Sequence, residues 1–491
     1  MNDIAKGVVV DQPSKISKDF ISHAKKHFLK EHEFDEFISA CNRPLRKSIR
    51  INTLKIKIDD FLKKLDKYNI SYESVPWCQE GFWVEVNSYD HSNDIVLGNL
   101  PEHLQGLFYI QEASSMLPPI ALFDLGLSSH DAPLILDMAA APGSKTTQLA
   151  AMSNDQGLIL ANEISASRVK ALHANLVRCG VTSTCMIQFD GRKLGERLSS
   201  LFDFVLLDAP CGGEGTVRKD TTALRDWQLS NVQEMAKLQK QLILTAYQCL
   251  KPGGRLVYST CTLSPEENQQ VALSLVDKTD AKIVDLKQLF KGAEHSATDE
   301  GFLHVLPHIY DSEGFFVAAF TKPENTKLKY YSTANDPTFM PVDKKIATRI
   351  QQYYLSHFGF DLSALTMIMK QRNKEVWLFP NGIDNISGVV RLNRSGIKLA
   401  EVYPNKIRST HEFFHCFYKK LKQQKVKLDL KQAEEFYKGR NLDIPQHSAQ
   451  DGEVVLIFNG HAVGFGTLKK NKVKNQLPRG LVRDQIRFLT G

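Results

Sequence analysis

Residues 136–150 read LDMAAAPGSKTTQLA, the end of an apolar strand followed by small residues and then by a helical pattern. Ala139, Ala140, Ala141 and Gly143 carry so little side chain that the backbone there can approach a ligand closely. The N-terminus of the predicted helix adds N–H groups and a partial positive charge. In open α/β sheets, nucleotide-like ligands bind at such a turn between a strand and its helix. The stretch therefore predicts a ligand-binding turn in an α/β fold.

A phosphate-binding P-loop is the alternative interpretation of this turn. A P-loop needs a glycine, four free positions, and then Gly-Lys followed by Ser or Thr. Here Ser144 separates Gly143 from Lys145, and Met138 stands where the first glycine is required. The spacing therefore disfavours a P-loop.

The sequence around the turn repeats a strand–loop–helix pattern from about residue 130 to about residue 320. The predicted strands are PLILDM (133–138), GLILANE (157–163), TCMIQFD (184–190), FDFVLLDA (202–209) and GRLVYST (254–260). Helical patterns lie between them, and the one over 165–180 ends in a glycine stop signal. Near-continuous apolar strands that alternate with helices indicate a parallel sheet covered on both faces. We therefore predict a doubly wound, Rossmann-like α/β domain.

Acidic residues stand at the ends of several of these strands. Glu163 ends the second predicted strand, where a carboxylate can bind both hydroxyls of a ribose. Asp190 ends the third, where it can accept a hydrogen bond from an adenine amino group. Together with the small-residue turn, these acids favour an adenosine-bearing cofactor without phosphates, and S-adenosylmethionine (SAM) is the natural candidate.

Two cysteines stand at strand ends among small polar residues. Cys211 follows the fourth predicted strand, and Cys261 follows the fifth. Both strand ends open on the carboxyl edge of a doubly wound sheet, so the two thiols can face one pocket. Free cysteines are usually small core residues, and we assign that role to Cys179, Cys185 and Cys249. Cys211 and Cys261 are instead candidates for chemistry.

A reaction that needs both SAM and a thiol is methylation of a pyrimidine at C5. Addition of a thiolate at C6 makes C5 nucleophilic, and a base must later remove the C5 proton so that the thiolate can leave. A polar group near the ring must stabilise the charge that develops. Asp208, three residues before Cys211, can engage the N3/N4 edge of a cytosine. The residues alone leave open which thiol attacks.

The chain resembles the NOL1/NOP2/Sun family of RNA cytosine-C5 methyltransferases over about residues 15–320. The matching motifs are RKSIRINTLK, YIQEASSMLP, DMAAAPGSKT, DAPCGGEG, KPGGRLVYSTCTLSPEEN and PHIYDSEGFFVAAF, in the family's order. The resemblance implies that Cys261 is the C6 nucleophile and that Cys211 assists product release. DNA cytosine-C5 methyltransferases use a Pro-Cys cysteine as the nucleophile, so the reversed assignment is the alternative.

The resemblance also implies the cofactor-binding residues of a class I SAM-dependent methyltransferase. They are Ala139, Ala140, Ala141, Pro142, Gly143, Ser144, Lys145, Glu163, Asp190 and Asp208. Lys145 is expected to position Asp208 or the target base, which makes both residues part of the catalytic set. Arg168 is either a further contact or an ordinary charge on a helix surface. Many members of the family have cysteine where this chain has Ala139, and a small side chain is kept there.

The composition of the chain restricts the ligands it is expected to bind and the cellular compartment in which it is expected to work. The chain has 491 residues, a net charge of +7 and eight cysteines. The cysteines form no CxxC pair and no Cys/His ligand spacing, so we expect no metal. Scattered thiols fit a reducing cytosol, and we find no signal peptide or membrane span. We expect a cytoplasmic monomer.

The segments outside the sheet are less regular. Residues 15–40 show helical spacing, and residues 43–55 hold five basic side chains and no acid, either a solvated basic face or an edge that contacts phosphates. Residues 450–491 carry apolar runs broken by glycines, typical of small twisted strands. A C-terminal basic flank, defined here as residues 469–483, holds six basic residues, among them Lys469, Lys470, Lys472 and Lys474.

The architecture resembles the F type of the bacterial small-subunit ribosomal RNA methyltransferases. The predicted segments are an N-terminal α+β RNA-binding domain (1–105), the methyltransferase domain (106–322), a linker (323–344), an intermediate domain (345–420) and a PUA-like RNA-binding domain (421–491). The resemblance implies 16S rRNA in the decoding region as substrate, presented by the 30S subunit. The alternatives are the same chemistry on tRNA or 23S rRNA, and a non-catalytic ribosome-assembly factor that binds RNA.

Overall fold

The computed structural model describes residues 16–86, 96–326, 338–484, 486 and 488. Within that part of the chain, the strands form four sheets that follow one another along the sequence. Residues 327–337, which make up half of the predicted linker, lie outside the described residues. The segment boundaries given above stay predictions.

The first sheet is a small antiparallel one with strand order β2-β3-β1-β4. Its elements are α1 (Lys18–His27), α2 (Phe34–Asn42), β1 (Ser48–Ile51), α3 (Ile58–Lys67), β2 (Ile70–Ser74), β3 (Gly81–Val86), α4 (Pro101–Leu104) and β4 (Phe108–Ile110). Phe61 and Leu65 on α3 pack against Ile49 and Phe108 of the sheet in one buried cluster. The helical spacing predicted over 15–40 corresponds to two helices, because a short turn of 3₁₀ helix at Glu31–Glu33 separates α1 from α2.

Both interpretations of the basic run at 43–55 are wrong for two of its five cations. Arg50 and Lys55 are buried, with exposures of 2% and 6%. Lys55 Nζ donates to the carbonyls of Gln105 and Arg178, each at 2.8 Å, and Arg50 Nε donates to Gln111 Oε1 at 2.9 Å. Backbone and amide oxygens replace solvent around these cations, so they join the first sheet to the next unit.

The second sheet has the order β10-β12-β9-β8-β5-β6-β7, with β11 paired to β12. Its elements are α5 (Leu117–Asp124), β5 (Leu134–Asp137), α6 (Ser144–Met152), β6 (Leu158–Asn162), α7 (Ala166–Cys179), β7 (Thr184–Ile187), β8 (Phe202–Asp208), α8 (Leu229–Cys249), β9 (Leu250–Thr260), α9 (Gln269–Lys278), β10 (Lys282–Val284), β11 (Leu303–Val305), α10 (Pro307–Tyr310) and β12 (Phe315–Thr321). The strands β9, β8, β5, β6 and β7 are parallel, and β12 runs antiparallel to β9. The predicted doubly wound sheet is confirmed, with its strand order reversing between β5 and β8.

Helices cover this sheet on both faces. One apolar cluster joins α5, α6 and α7 to side chains such as Ile135, Ile159 and Leu206. A second cluster on the opposite face joins α8 and α9 to side chains such as Leu136 and Leu207. Neighbouring residues on one strand therefore point to opposite faces, as the period of two requires. The helix predicted over 165–180 is α7, which ends at Gly180 in a left-handed conformation.

The third and fourth sheets follow in the C-terminal part of the chain. The third has the order β13-β14-β15-β16-β17, and the fourth has the order β18-β20-β21-β22-β19. Their elements are β13 (Met340–Pro341), α11 (Lys344–Phe358), β14 (Met367–Arg372), β15 (Glu375–Pro380), β16 (Ile397–Tyr403), β17 (Lys406–Ser409), α12 (His411–Phe417), β18 (Lys425–Lys427), α13 (Leu430–Tyr437), β19 (Leu442–Asp443), β20 (Gly452–Phe458), β21 (His461–Lys469) and β22 (Lys472–Asn475). The twisted strands predicted after residue 450 are β20, β21 and β22.

Candidate active site

The turn between β5 and α6 brings the predicted cofactor residues to the carboxyl edge of the sheet. Gly143 directly precedes α6 with a φ of +103°, and a Cβ at this position would lie 2.9 Å from Leu172 Cδ1. The left-handed conformation therefore favours glycine there, and any larger residue would also have to displace the end of the Leu172 side chain. Ala140 and Ala141 are each 5% exposed, Lys145 is buried, and Ala139, Pro142 and Ser144 are more accessible. No side chain in the described part caps the helix, which leaves its N-terminus to a ligand.

Glu163 lies beside this turn, just beyond β6, and is 2% exposed. Its Oε1 accepts a hydrogen bond from Ser165 N at 2.9 Å. Its Oε2 is buried and accepts no hydrogen bond from any described residue, although Arg168 Nη1 lies 3.3 Å away. A buried carboxylate oxygen with unused lone pairs is costly unless a ligand satisfies it. This oxygen fits the ribose hydroxyls of an adenosine-bearing cofactor.

Asp190 and Arg168 have partners within the protein. Arg192 approaches the Asp190 carboxylate with Nε at 3.0 Å from Oδ1 and Nη2 at 2.7 Å from Oδ2. This hydrogen-bonded partner holds the pKa of Asp190 below its usual range. Arg168 Nη2 donates to Ala141 O at 2.5 Å, so this side chain connects Glu163 to the cofactor turn rather than extending freely from α7.

The two thiols meet at the ends of β8 and β9, which are parallel neighbours with Asp208 opposite Ser259. Cys211 Sγ and Cys261 Sγ are 3.2 Å apart, and both side chains are partly buried. Hydrogen bonding to Cys261, followed by burial, raises the pKa of the Cys211 thiol well above its usual value. Either sulfur can be the donor in this contact, so one thiol can donate a hydrogen bond to the other.

Asp208 and Lys145 form an ion pair beside the thiols, with Lys145 Nζ 2.7 Å from Asp208 Oδ2. Ser259 Oγ donates to Asp208 Oδ1 at 2.7 Å, and Lys145 Nζ donates to Ser115 Oγ at 3.1 Å. Lys145 also lies 5.4 Å from the centre of the Phe315 ring. Lys145 and Ser259 thus orient the Asp208 carboxylate, while the side chain remains 30% exposed and accessible to a substrate.

Two glutamates that sequence reasoning missed support the thiol loops. Glu214 is 1% exposed, and its Oε2 accepts from Leu263 N at 2.8 Å and Ser264 N at 2.7 Å, just after Cys261. Glu267 is 0% exposed, and its Oε2 accepts from Gly212 N at 3.0 Å, just after Cys211. Each glutamate thus holds the loop that carries one thiol. Their positions within the motifs DAPCGGEG and SPEEN are a signal, but their partners are about fifty residues away.

The described residues meet neither the requirements of a metal site nor those of a membrane-spanning helix. No cluster of three or more His, Cys, Asp or Glu side chains there could hold a metal ion. Among the same residues, no helix has the length and apolar character that a membrane crossing requires.

The doubly wound sheet, the small-residue turn and the unsatisfied Glu163 define an SAM-dependent methyltransferase. Comparison with known proteins supports the same class of enzyme. The matching family descriptions are "16S rRNA methyltransferase RsmB/F" (residues 124–321), "N-terminal domain of 16S rRNA methyltransferase RsmF" (16–113), "Ribosomal RNA small subunit methyltransferase F, pre-PUA domain" (339–417) and "Methyltransferase RsmF PUA domain" (423–483). The chain belongs to the family of ribosomal RNA small subunit methyltransferase F.

Relatives of that name are similar along almost their whole length. The protein from Shewanella loihica is 46% identical, with 96% of each chain covered. The one from Erwinia tasmaniensis is 47% identical, with 92% of this chain and 94% of the relative covered. A solved methyltransferase homologue from Pyrococcus horikoshii is 32% identical, with a TM-score of 0.53 over 62% of this chain and 95% of its own. The predicted family, fold and cofactor are confirmed.

Proposed function

We propose that this chain methylates C5 of a cytosine in 16S rRNA, through a covalent adduct between Cys261 and cytosine C6. The observation that carries the proposal is the 3.2 Å contact between Cys211 Sγ and Cys261 Sγ beside the Asp208–Lys145 pair. Two thiols within one pocket suit a reaction in which one thiol bonds to the base and the other assists its release. SAM, when bound, supplies the electrophilic methyl group.

The environment of the thiols supports Cys261 as the attacking group. In the resting pair we place the proton on Cys211, since hydrogen bonding to Cys261 and burial raise the pKa of the Cys211 thiol. Its S–H then donates to Cys261 Sγ, and the thiolate of Cys261 is the nucleophilic form. Asp208 can accept a hydrogen bond from the cytosine amino group, and Lys145, with Nζ 2.7 Å from Asp208 Oδ2, holds the carboxylate in place. The loop after Cys261, held by Glu214, fixes the direction of attack.

Release requires that the C5 proton leave after methyl transfer. As that proton departs, its bonding electrons restore the C5–C6 double bond, and the bond between C6 and Cys261 Sγ breaks. Cys211, whose Sγ lies 3.2 Å from Cys261 Sγ, can assist this step. Without it, the adduct forms but does not resolve.

Covalent trapping tests the assignment of the two thiols. Cys261→Ala is expected to abolish methylation and to form no adduct. Cys211→Ala is expected to accumulate an RNA–protein complex that survives SDS. Cys416→Ala, which alters a partly buried thiol on α12, is the matched control and should behave like the wild type. An adduct from the Cys261 variant, with none from the Cys211 variant, would reverse the roles.

The small ribosomal subunit is the proposed substrate because the relatives carry it in their names. We propose that the 30S subunit presents 16S rRNA to a cytoplasmic monomer. Transfer of tritium from labelled SAM should be tested on 30S subunits, naked 16S rRNA, 23S rRNA and bulk tRNA, with the modified base mapped. 5-Methylcytosine in 16S rRNA supports the proposal. Label confined to tRNA or 23S rRNA overturns the substrate, and SAM binding with no transfer points to an assembly factor.

A further inference from the structure

Glu267 lies behind the thiol pair with one carboxylate oxygen in use and the other free. Oε2 accepts from Gly212 N at 3.0 Å and from Gln239 Nε2 at 2.7 Å. Oε1 is buried and has no hydrogen-bond partner among the described residues. Native proteins rarely leave a buried carboxylate oxygen unsatisfied, and such groups are often catalytic.

The free oxygen is directed toward the segment that carries Cys211. A Cβ placed on Gly212 would lie 2.8 Å from Glu267 Oε1. Gly212 directly follows Cys211, so the oxygen lies against the backbone next to that thiol. Glycine at this position leaves the space between the carboxylate and the Cys211 segment open.

Glu214 offers a comparison within the same site. Both of its oxygens are saturated by donors from the Cys261 loop and Trp227. A carboxylate whose role is purely structural needs no spare oxygen. Glu267 has one oxygen for structure and one that structure does not use.

The surroundings of Glu267 bring the pKa of its carboxyl group close to neutral pH. Burial raises the pKa of the Glu267 carboxyl to about 7. The Gly212 N–H and Gln239 lower the pKa, while the carboxylates of Glu214 and Glu266 raise it further. The charge on Glu267 in turn raises the pKa of the Cys211 thiol and of Tyr258. Glu267 and Cys211 therefore influence each other's protonation.

We propose that Glu267 Oε1 is the proton acceptor for Cys211, which makes Cys211 the base that removes the C5 proton. The inference rests on the proposed cytosine-C5 reaction. The Cys211 S–H proton passes to Glu267, which leaves a thiolate on Cys211 and a neutral carboxyl on Glu267. The thiolate takes the C5 proton, the C5–H electrons form the C5–C6 double bond, and Cys261 departs from C6 as a thiolate. After the RNA leaves, one proton goes to water and the starting state returns.

Glu267→Gln tests this role with little change of shape. The glutamine oxygen can still accept from Gly212 N and Gln239, whereas its amide cannot take a proton. Adduct formation should continue, and release should slow by about 100-fold or more, since a general base contributes roughly 100-fold to 10,000-fold. An SDS-stable complex should accumulate, as with Cys211→Ala. Glu266→Gln, one residue away and paired with His23 at 3.1 Å, should release product near the wild-type rate.

The pH dependence separates proton transfer from a merely structural role. Glu267 accepts a proton only when it is ionised, so wild-type release should rise with pH through about 7. The Gln variant should lack this rise, and Glu267→Asp should restore part of it. If the Gln variant releases product at the wild-type rate and with the wild-type pH profile, the inference is wrong. It is also wrong if a folded Gln variant forms no adduct.

Comparison of the Cys211, Cys261 and Glu267 variants separates a failure of this inference from a failure of the proposed function. If Cys211→Ala traps the adduct but Glu267→Gln does not, the proposed function stands and Glu267 is not the acceptor. If Cys261→Ala still methylates RNA, the proposed function itself fails. Should the Gln variant not fold, the pH dependence of adduct decay in the wild-type protein still decides: a rate that does not change between pH 6 and pH 8 overturns the inference.

Discussion

Glu214 is the side chain on which the position of the Cys261 loop depends, and Glu214→Gln perturbs it with almost no change of volume. Its Oε2 accepts from Thr262 Oγ1 at 2.7 Å, Leu263 N at 2.8 Å and Ser264 N at 2.7 Å. Its Oε1 accepts from Ser264 Oγ at 2.6 Å and Trp227 Nε1 at 2.5 Å. Thr262, Leu263 and Ser264 are fully buried, so water cannot replace the carboxylate.

The magnitude follows from what glutamine can still satisfy. Its oxygen fits best toward the three donors of the loop, with its amide toward Ser264 Oγ and Trp227. The Ser264 hydroxyl can reverse and accept, whereas the Trp227 N–H cannot and loses its bond. A hydrogen bond to a charged acceptor contributes roughly 1.5–3 kcal/mol, and the three bonds that the glutamine oxygen still accepts from the loop lose their charge assistance. Relief from burying a charge offsets part of this loss. We expect the free energy of unfolding to fall by about 2–4 kcal/mol.

Thermal unfolding and adduct formation together measure the effect. For a unit of this size, each kcal/mol lowers the Tm by roughly 2–4 °C, which gives a fall of about 4–16 °C. Below that Tm, Cys261 should form its RNA adduct more slowly, because its loop is less well fixed. Glu234→Gln is the control, since that exposed acid pairs only with Lys237 among the described residues. An unchanged Tm for Glu214→Gln would refute the reasoning.

Three further predictions concern other parts of the molecule. Lys145→Met removes the cation 2.7 Å from Asp208, so the methylation rate should fall sharply in a single-turnover assay while the fold stays intact. Burial raises the pKa of Asp137 to about 7, so its favourable contribution is complete at low pH and is lost as pH rises through 7. Asp137→Asn should therefore reduce the loss of stability between pH 5 and pH 8.5 by up to about 2.7 kcal/mol in urea titrations, because that loss accumulates at about 1.36 kcal/mol per pH unit and ends near pH 7. Alanine at the four lysines of the C-terminal basic flank should weaken RNA binding and flatten its salt dependence by about 0.7–0.9 per lost phosphate contact; an unchanged salt slope would exclude that grip.

The sequence predicts that the two thiols lie close together, but it does not predict which side chains hold the loops that carry them. Strand ends of a parallel sheet share one edge, so Cys211 and Cys261 had to lie near each other once β8 and β9 were neighbours. The acids that hold their loops come from the other loop in each case: Glu214 follows Cys211 and binds the Cys261 loop, whereas Glu267 follows Cys261 and binds the Cys211 loop. No local pattern encodes that exchange, because each glutamate accepts from backbone N–H groups of the other loop, which almost any residue type could supply.

The basic run at 43–55 illustrates the opposite error. Its charge indicated a surface, and Arg46 does remain partly exposed beside Glu73. Lys55, however, is enclosed by carbonyl oxygens, and burial lowers its pKa to about 7. Backbone carbonyls are available from any residue type, so a sequence does not reveal which lysine they will surround. Charge patterns therefore predict surfaces only where no backbone acceptors converge.

The two glutamates that hold the thiol loops also differ from each other, and this difference bears on which thiol has which role. A nucleophile must be held in one direction, and the Cys261 loop is fixed by a Glu214 carboxylate whose oxygens are fully used. A proton acceptor works best when its pKa lies near the working pH, and the Cys211 loop is held by a carboxyl with a free oxygen and a pKa of about 7. The first environment suits attack on C6, and the second suits removal of the C5 proton. The motif alone assigns these roles by resemblance. The surroundings of each thiol favour the same assignment on physical grounds, and the comparison of Glu214→Gln with Glu267→Gln tests it directly: the first should slow adduct formation, and the second should slow adduct release.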